Sequence, residues 1–171
     1  MLTTFQQVIA ATRQEPIRRV AVAVAEQEAV LEAVRDGLAQ EIAQPVLFGD
    51  QARIAAKAAA VGLDLGAVEV VPEPDPLQAA AAAVRAVREG QADILMKGHL
   101  HTDDFLRALL DKEHGLRTGS IMSHVFILET GPRGKFTFVT DGAMNIAPDL
   151  VTKADIIMNA VFLANVFGLD C

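Results

Sequence analysis

Within residues 18 to 25, RRVAVAVA, the stretch from Val20 to Ala25 is apolar at consecutive positions rather than alternate ones. That pattern limits the chain's folds more than any other feature. A strand with one face in water alternates apolar and polar side chains, whereas a continuous apolar strand has to be covered on both faces, as in a parallel sheet between helical layers. Two further runs share this character, PVLFGD (45 to 50) and ADILMKG (92 to 98), and the β-branched VEVVPE (68 to 73) reads as another strand. Between them lie helical spacings. Leu31, Val34, Leu38 and Ile42 recur on one face of a helix over 28 to 43, and Leu77, Ala80, Val84 and Val87 do the same after Asp75-Pro76, an N-cap followed by a first-turn proline. Asp50 is placed to cap the helix that Gly62 ends. The predicted fold class is therefore α/β, a three-layer αβα arrangement with a mainly parallel sheet.

Downstream the pattern changes. Thr102 is read as the cap of a short helix carrying Phe105, Leu106, Leu109 and Leu110. SHVFILET (123 to 130) and KFTFVTDG (135 to 142) are linked by GPRG, too short a connection to cross between parallel strands, which predicts an antiparallel hairpin. A last helix runs from Pro148 or Thr152 to Phe167. Ile156, Ile157, Met158, Val161, Phe162, Leu163, Val166 and Phe167 cover nearly its whole circumference, so it is either a core helix or packed against a missing segment or a second copy. Domain organisation is read as a single α/β domain over 1–171.

Charge narrows the function. Fifteen Lys+Arg against 22 Asp+Glu give a net charge of −7, which argues against coating nucleic acid or an anionic membrane. Residues 97 to 135 hold six basic and five acidic residues, so the excess acid lies elsewhere and any bound anion is met by a local patch. The one cysteine is Cys171, which fits a reducing cytoplasm and no disulfide framework. The N-terminus lacks signal-peptide character, and the apolar run at 156 to 169 is too short and too interrupted by Asn159 and Asn165 to span a bilayer.

Three clusters carry candidate chemistry. In ILMKGHLHTDDFL (94 to 106), a strand ends in Lys97 and Gly98 where a parallel sheet opens its ligand crevice. Lys97 supplies a mobile charge, Gly98 a close backbone approach and Thr102 a hydroxyl beside helix N–H groups, a phosphate site in outline. Asp103 and Asp104 oppose an anion there unless Lys97 and Arg107 compensate, and an ordinary solvated loop is the competing account. His99 and His101 show no further ligand spacing, so no metal is expected. In GLRTGSIMSH (115 to 124), Arg117 presents a fork for phosphate or carboxylate oxygens, with Thr118 and Ser123 adding hydroxyls; a polar capping loop is the alternative. In TDGAMNIAPD (140 to 149), Asp141 and Asn145 either orient a ligand or serve as turn and cap chemistry. Neither a P-loop nor a G-x-G-x-x-G fingerprint is present.

Taken in order, ADILMKG, HTDDFLRALLDKEHGLRTG, MSHVFILE and FVTDGAMNIAPDLVTKADIIMNA resemble the phosphate acetyl/butyryltransferase family, most closely its phosphate butyryltransferase branch. The resemblance implies a lobe of a two-lobe fold similar to isocitrate and isopropylmalate dehydrogenases, with the active site between lobes. It implies transfer of a short acyl group between coenzyme A, as a substrate and not a cofactor, and inorganic phosphate. Arg107 and Arg117 would take the electrostatic catalytic role. Lys97, Gly98, Thr102, Thr118, Ser123, Asp141 and Asn145 would bind substrate. Family members continue into a lobe with a Ser-Arg-Ala-Asp motif supplying a base for the thiol, and no such motif occurs in these 171 residues. Three cases follow from that: a truncated piece, a natural half completed by another chain, or a noncatalytic module that binds coenzyme A or phosphate. The partners expected are acyl-CoA and phosphate or acyl phosphate, with a homo-oligomer or the missing C-terminal lobe.

Overall fold

A computed structural model describes residues 1–131 and 135–169. Most of the predicted GPRG turn, and Cys171, lie outside them. Where the sequence suggests one domain over 1–171, the chain divides into two compact units, residues 15–118 and residues 1–14 with 119–171. The hairpin forms a sheet of its own and does not extend the parallel one.

In the unit of residues 15–118, β1 (Arg18–Ala23), β2 (Ala43–Gly49), β3 (Glu69–Pro72) and β4 (Ile94–Lys97) form a parallel sheet in the order β3-β2-β1-β4. Register sets Ala23 beside Phe48 on one side and Lys97 on the other, so these three residues form one row at the carboxyl edge. Both faces are covered, as continuous apolar strands require. Val22 and Leu47 pack with Val30, Leu31, Val34, Ile54 and Ala58 of α2 (Glu28–Ala39) and α3 (Gln51–Val61). Ala21, Ala23, Val46 and Phe48 pack with Ala79, Ala80, Ala83 and Ala86 of α4 (Pro76–Arg88). Each fully buried Leu or Ile contributes about 1.5–3 kcal/mol.

The caps hold these helices at the expected places. Asp50 accepts from Arg53 N–H at 3.0 Å, Asp75 from Leu77 and Gln78 N–H at 2.9 Å, and Gly62 closes α3 at φ 72°. Two boundaries differ. α2 stops at Ala39 rather than 43, because Glu41 takes φ 57° and cannot continue a right-handed helix. Thr102 is the first residue of α5 (Thr102–Leu109), not its cap; His101 takes the cap position and makes no side-chain cap bond.

β1 leads to α2 on one face of the sheet, while β4 leads to α5, whose Phe105 and Ala108 pack on the α4 face. The chain thus leaves the adjacent strands β1 and β4 toward opposite faces. That is the topology at which parallel α/β sheets open a ligand crevice.

In the other unit, β5 (Val125–Thr130) and β6 (Lys135–Thr140) pair antiparallel, and α6 (Leu150–Val166) lies against β6. The sequence analysis has no helix near the N-terminus, but α1 (Phe5–Thr12) is there, capped by Thr4. Phe5 packs edge-on against Phe136 with ring centroids 5.1 Å apart, and Phe136 and Phe138 meet Phe167 at 5.3 and 5.6 Å. α6 buries Ile156 and Ala164, while Ile157, Met158, Phe162 and Val166 are each more than half exposed.

Candidate functional site

The carboxyl edge of the parallel sheet is built from close backbone contacts. Gly98 N–H donates to Ala23 O at 2.8 Å and His99 N–H to Val24 O at 2.6 Å, so β1 and β4 stay joined past their last ladder residues. A Cβ on Gly98 would stand 2.2 Å from the Val24 carbonyl oxygen, and Gly98 is buried. The glycine therefore serves the close approach of the two chain segments here. Val24 itself sits at φ 59°, an uncommon conformation for a β-branched residue, held by complete burial.

Lys97, exposed at the end of β4, donates from Nζ to Leu100 O at 2.9 Å and to Gly98 O at 3.3 Å, which ties the ammonium to the loop ahead of α5. Thr102 is exposed on the first turn of α5. Arg107, at the other end of that helix, pairs with Asp104 at 2.9 Å and keeps 72% of its side chain exposed. It borders an apolar notch with Leu77, Ala81, Val84 and Ala108 and a second, open hollow with Asp111 and Lys112. Arg117 is exposed in an adjoining cleft that shares Asp111 and Lys112 with that hollow. Arg107 and Arg117 thus lie on neighbouring surfaces, and Lys97 borders neither of these clefts. Thr118 is exposed next to Arg117.

A buried carboxylate that the sequence analysis did not single out stands at this edge. Glu26 is 5% exposed; its Oε1 accepts Asp50 N–H at 2.6 Å, and its Oε2 has no hydrogen-bond partner. Its position directly after RRVAVAVA was the available signal.

Ser123, Asp141 and Asn145 belong to the unit of residues 1–14 and 119–171, where they form one network. Asp141 Oδ1 accepts from His124 N–H at 3.3 Å and Met144 N–H at 3.2 Å; its Oδ2 accepts from Asn145 N–H at 3.0 Å and Asn145 Nδ2 at 2.5 Å. Burial acts to raise the pKa of Asp141, but these bonds outweigh it and hold the carboxyl below its ordinary value. Asn145 Nδ2 also donates to Met122 O at 3.0 Å, which fastens the 140–149 turn to the residues ahead of β5. Ser123 Oγ accepts from Asn159 Nδ2 at 2.9 Å, and Asn159 also reaches Ile121 O at 3.2 Å. Asn159, met in the sequence only as an interruption of an apolar run, is thus the α6 residue that positions Ser123. Asp149 is a cap, accepting Thr152 N–H at 2.8 Å. The His124 ring lies edge-on to Phe126, and its Nδ1 is buried without a partner.

Chemically, the first unit offers cations and helix N–H groups, and the second offers a hydroxyl and amide groups held by a carboxylate. Among the described residues, no group of three or more His, Cys, Asp or Glu side chains is placed to hold a metal ion, and no helix is long and apolar enough to cross a membrane.

Comparison with known proteins bears on this arrangement. The family model described as Phosphate acetyl/butaryl transferase matches residues 3–80 and 75–170. Over 170 residues the chain is 43% identical to the phosphate butyryltransferase of Clostridium acetobutylicum, covering 99% of this chain and 56% of that protein. It is 38% identical over 165 residues to a phosphate acetyltransferase of Rhizobium meliloti, covering 96% and 52%. Among solved structures, a branched-chain phosphotransacylase from Enterococcus faecalis superposes with a TM-score of 0.74 at 32% identity, over 90% of this chain and 53% of that one. The chain spans about half the length of the curated relatives it matches.

Proposed function

The chain belongs to the phosphate acetyl/butyryltransferase family, and on that premise we propose that it contributes the anion-binding part of a site that moves a short acyl group between coenzyme A and inorganic phosphate. The observation that carries this proposal is the 43% identity, over 99% of the chain, to a phosphate butyryltransferase.

The chemistry asks for positioning and charge more than covalent help. Toward acyl-CoA, the coenzyme A sulfur attacks the acyl carbonyl carbon of the acyl phosphate. A carbon–sulfur bond forms, the carbon–oxygen bond to phosphate breaks, and its electron pair leaves with the phosphate oxygen. Arg107 and Arg117 are assigned to the negative charge that develops on carbonyl and phosphate oxygens, where fixed donors act most strongly. Lys97, Thr102 and Thr118 assist in holding phosphate oxygens, with Gly98 keeping Lys97 at the strand end. Within the other unit, Ser123 and Asp141 with Asn145 offer a positioned hydroxyl and a braced loop as a substrate-binding surface of that unit. The thiol proton goes to a base outside this set, which the family resemblance assigns to a Ser-Arg-Ala-Asp motif not found in these 171 residues. We therefore expect the chain by itself to form little butyryl phosphate from butyryl-CoA and phosphate; robust turnover would show that the residues assigned here are not the incomplete set described.

Two-dimensional amide NMR spectra titrated with butyryl phosphate test the assignment. Shifts are expected at Gly98, at Thr102 to Asp104 and around Arg107 and Arg117. Shifts confined to the hairpin or α6 would overturn it.

A further inference from the structure

The α4 face of the parallel sheet carries a groove that acyl transfer does not use. Strand order leaves β3 at an edge, and α4 lies over β1 and β2 rather than β3. A groove of about 210 Å³ results, floored by Val46 and Phe48 of β2 and Val71 of β3 and walled by Ala82 and Ala86 of α4, whose small side chains keep it open. Register sets Phe48 beside Val71, so the floor is continuous across the two strands. None of the residues that line this groove borders the clefts of Arg107 and Arg117.

Four charged side chains border the groove, and they are not alike. Arg19 and Glu69 neutralise each other in an ion pair of 2.6 Å. Arg85 and Glu89 lie one turn apart at the end of α4 and make no ion pair with each other, and the Arg85 guanidinium has no partner among the described residues. Glu89 Oε2 accepts from Gln91 Nε2 at 3.1 Å, which leaves Oε1 for a second donor. A guanidinium fork and a carboxylate beside an apolar floor suit a ligand that has a carboxylate, an ammonium and an apolar body. A fatty acid would bring its carboxylate up to Glu89, and an alkylamine would bring its ammonium up to Arg85. We infer that the groove binds an α-amino acid with an aliphatic side chain, its carboxylate on Arg85, its ammonium on Glu89 and its side chain over Val46, Phe48 and Val71. Both charged groups of such a ligand branch from one carbon, which suits two helix residues whose Cβ atoms are about 5–6 Å apart. All the residues involved belong to the unit of residues 15–118, and the inference does not depend on acyl transfer.

The test titrates L-leucine calorimetrically into the 171-residue chain, alongside 4-methylpentanoate, which lacks the ammonium, and 3-methylbutylamine, which lacks the carboxylate. Arg85→Gln and Glu89→Gln are the variants; both side chains are exposed, and circular dichroism checks that each variant folds. The wild-type chain is expected to bind leucine, to bind each analogue about fivefold or more weakly, and to lose about fivefold or more of its leucine affinity in either variant. Butyryl phosphate binding, titrated separately, is expected to stay within about twofold in both variants, because neither residue borders the clefts of Arg107 and Arg117. No leucine binding by the wild-type chain, leucine affinity that either variant leaves unchanged, or an analogue that binds as tightly as leucine would each overturn the inference and leave acyl transfer standing. A parallel loss of butyryl phosphate affinity would mean that the variants disturb the chain as a whole, and would overturn the assignment of this groove as well.

Discussion

The parallel sheet and the hairpin unit handle apolar surface in opposite ways. Around the sheet, Ala21, Val22, Ala23, Leu31, Leu47 and Ile54 are completely buried, with helices on both faces. In the hairpin unit, β5 exposes Phe126 and Leu128, and α6 buries Ile156 and Ala164 but exposes Ile157, Met158, Phe162 and Val166. The first region covers its central strands with helices, whereas the second leaves more of its large apolar side chains exposed. Substitutions in the two regions should therefore differ in their cost to stability.

Leu47→Ala should have the largest effect. It removes a fully buried side chain between α2, α3 and the sheet and is expected to cost about 2–5 kcal/mol in urea denaturation followed by circular dichroism. A loss under about 1 kcal/mol would mean that the sheet is less closely packed than described. Gly98→Ala comes next, at about 1–3 kcal/mol, because the new methyl meets the backbone of Val24 and β1 has to shift.

Asp141→Asn tests the hairpin unit at a polar point, with an expected loss of about 1 kcal/mol near neutral pH as charge-assisted bonds to three backbone N–H groups weaken. The sign of its pH dependence follows from the depressed pKa. Unfolding lets the Asp141 carboxyl protonate at higher pH than folding does, so its stabilisation is full above about pH 5 and lost as pH falls through the folded value, below the ordinary 3.8. The difference in Tm between wild type and Asp141→Asn should therefore shrink on acidification; a gap that stays constant would contradict the bonding described. Phe162→Ser should have the smallest effect on stability, within about 0.5 kcal/mol, because the ring is 72% exposed. A loss of several kcal/mol would erase the contrast between the two regions.

The parallel sheet was legible in the sequence because its signals are local. Continuous apolar runs mark β1 to β4, and Asp50, Gly62 and Asp75 mark helix ends where the structure has them. The hairpin was legible from its four-residue link, and Asp149 as a cap. The helix α1 was not, since Phe5 finds its partner in Phe136, far along the chain, and no local pattern records such contacts. The sheet's independence from the hairpin was hidden for the same reason. At the site, strand-end position singled out Lys97 and Gly98, but residue type cannot distinguish a glycine that admits a ligand from one that admits a neighbouring strand. The groove beside Arg85 and Glu89 went unremarked because its floor comes from β2 and β3 and its wall from α4, which meet only in the folded chain. Asn159 was masked by the apolar residues around it.

The most direct test of the central claim is calorimetric binding of butyryl phosphate to the wild-type chain and to the Arg107→Gln, Arg117→Gln double variant. Loss of these two cations is expected to weaken binding by about tenfold or more, with the weakening reduced at high salt. Equal affinity in the two proteins would contradict the claim that Arg107 and Arg117 hold the anionic substrate.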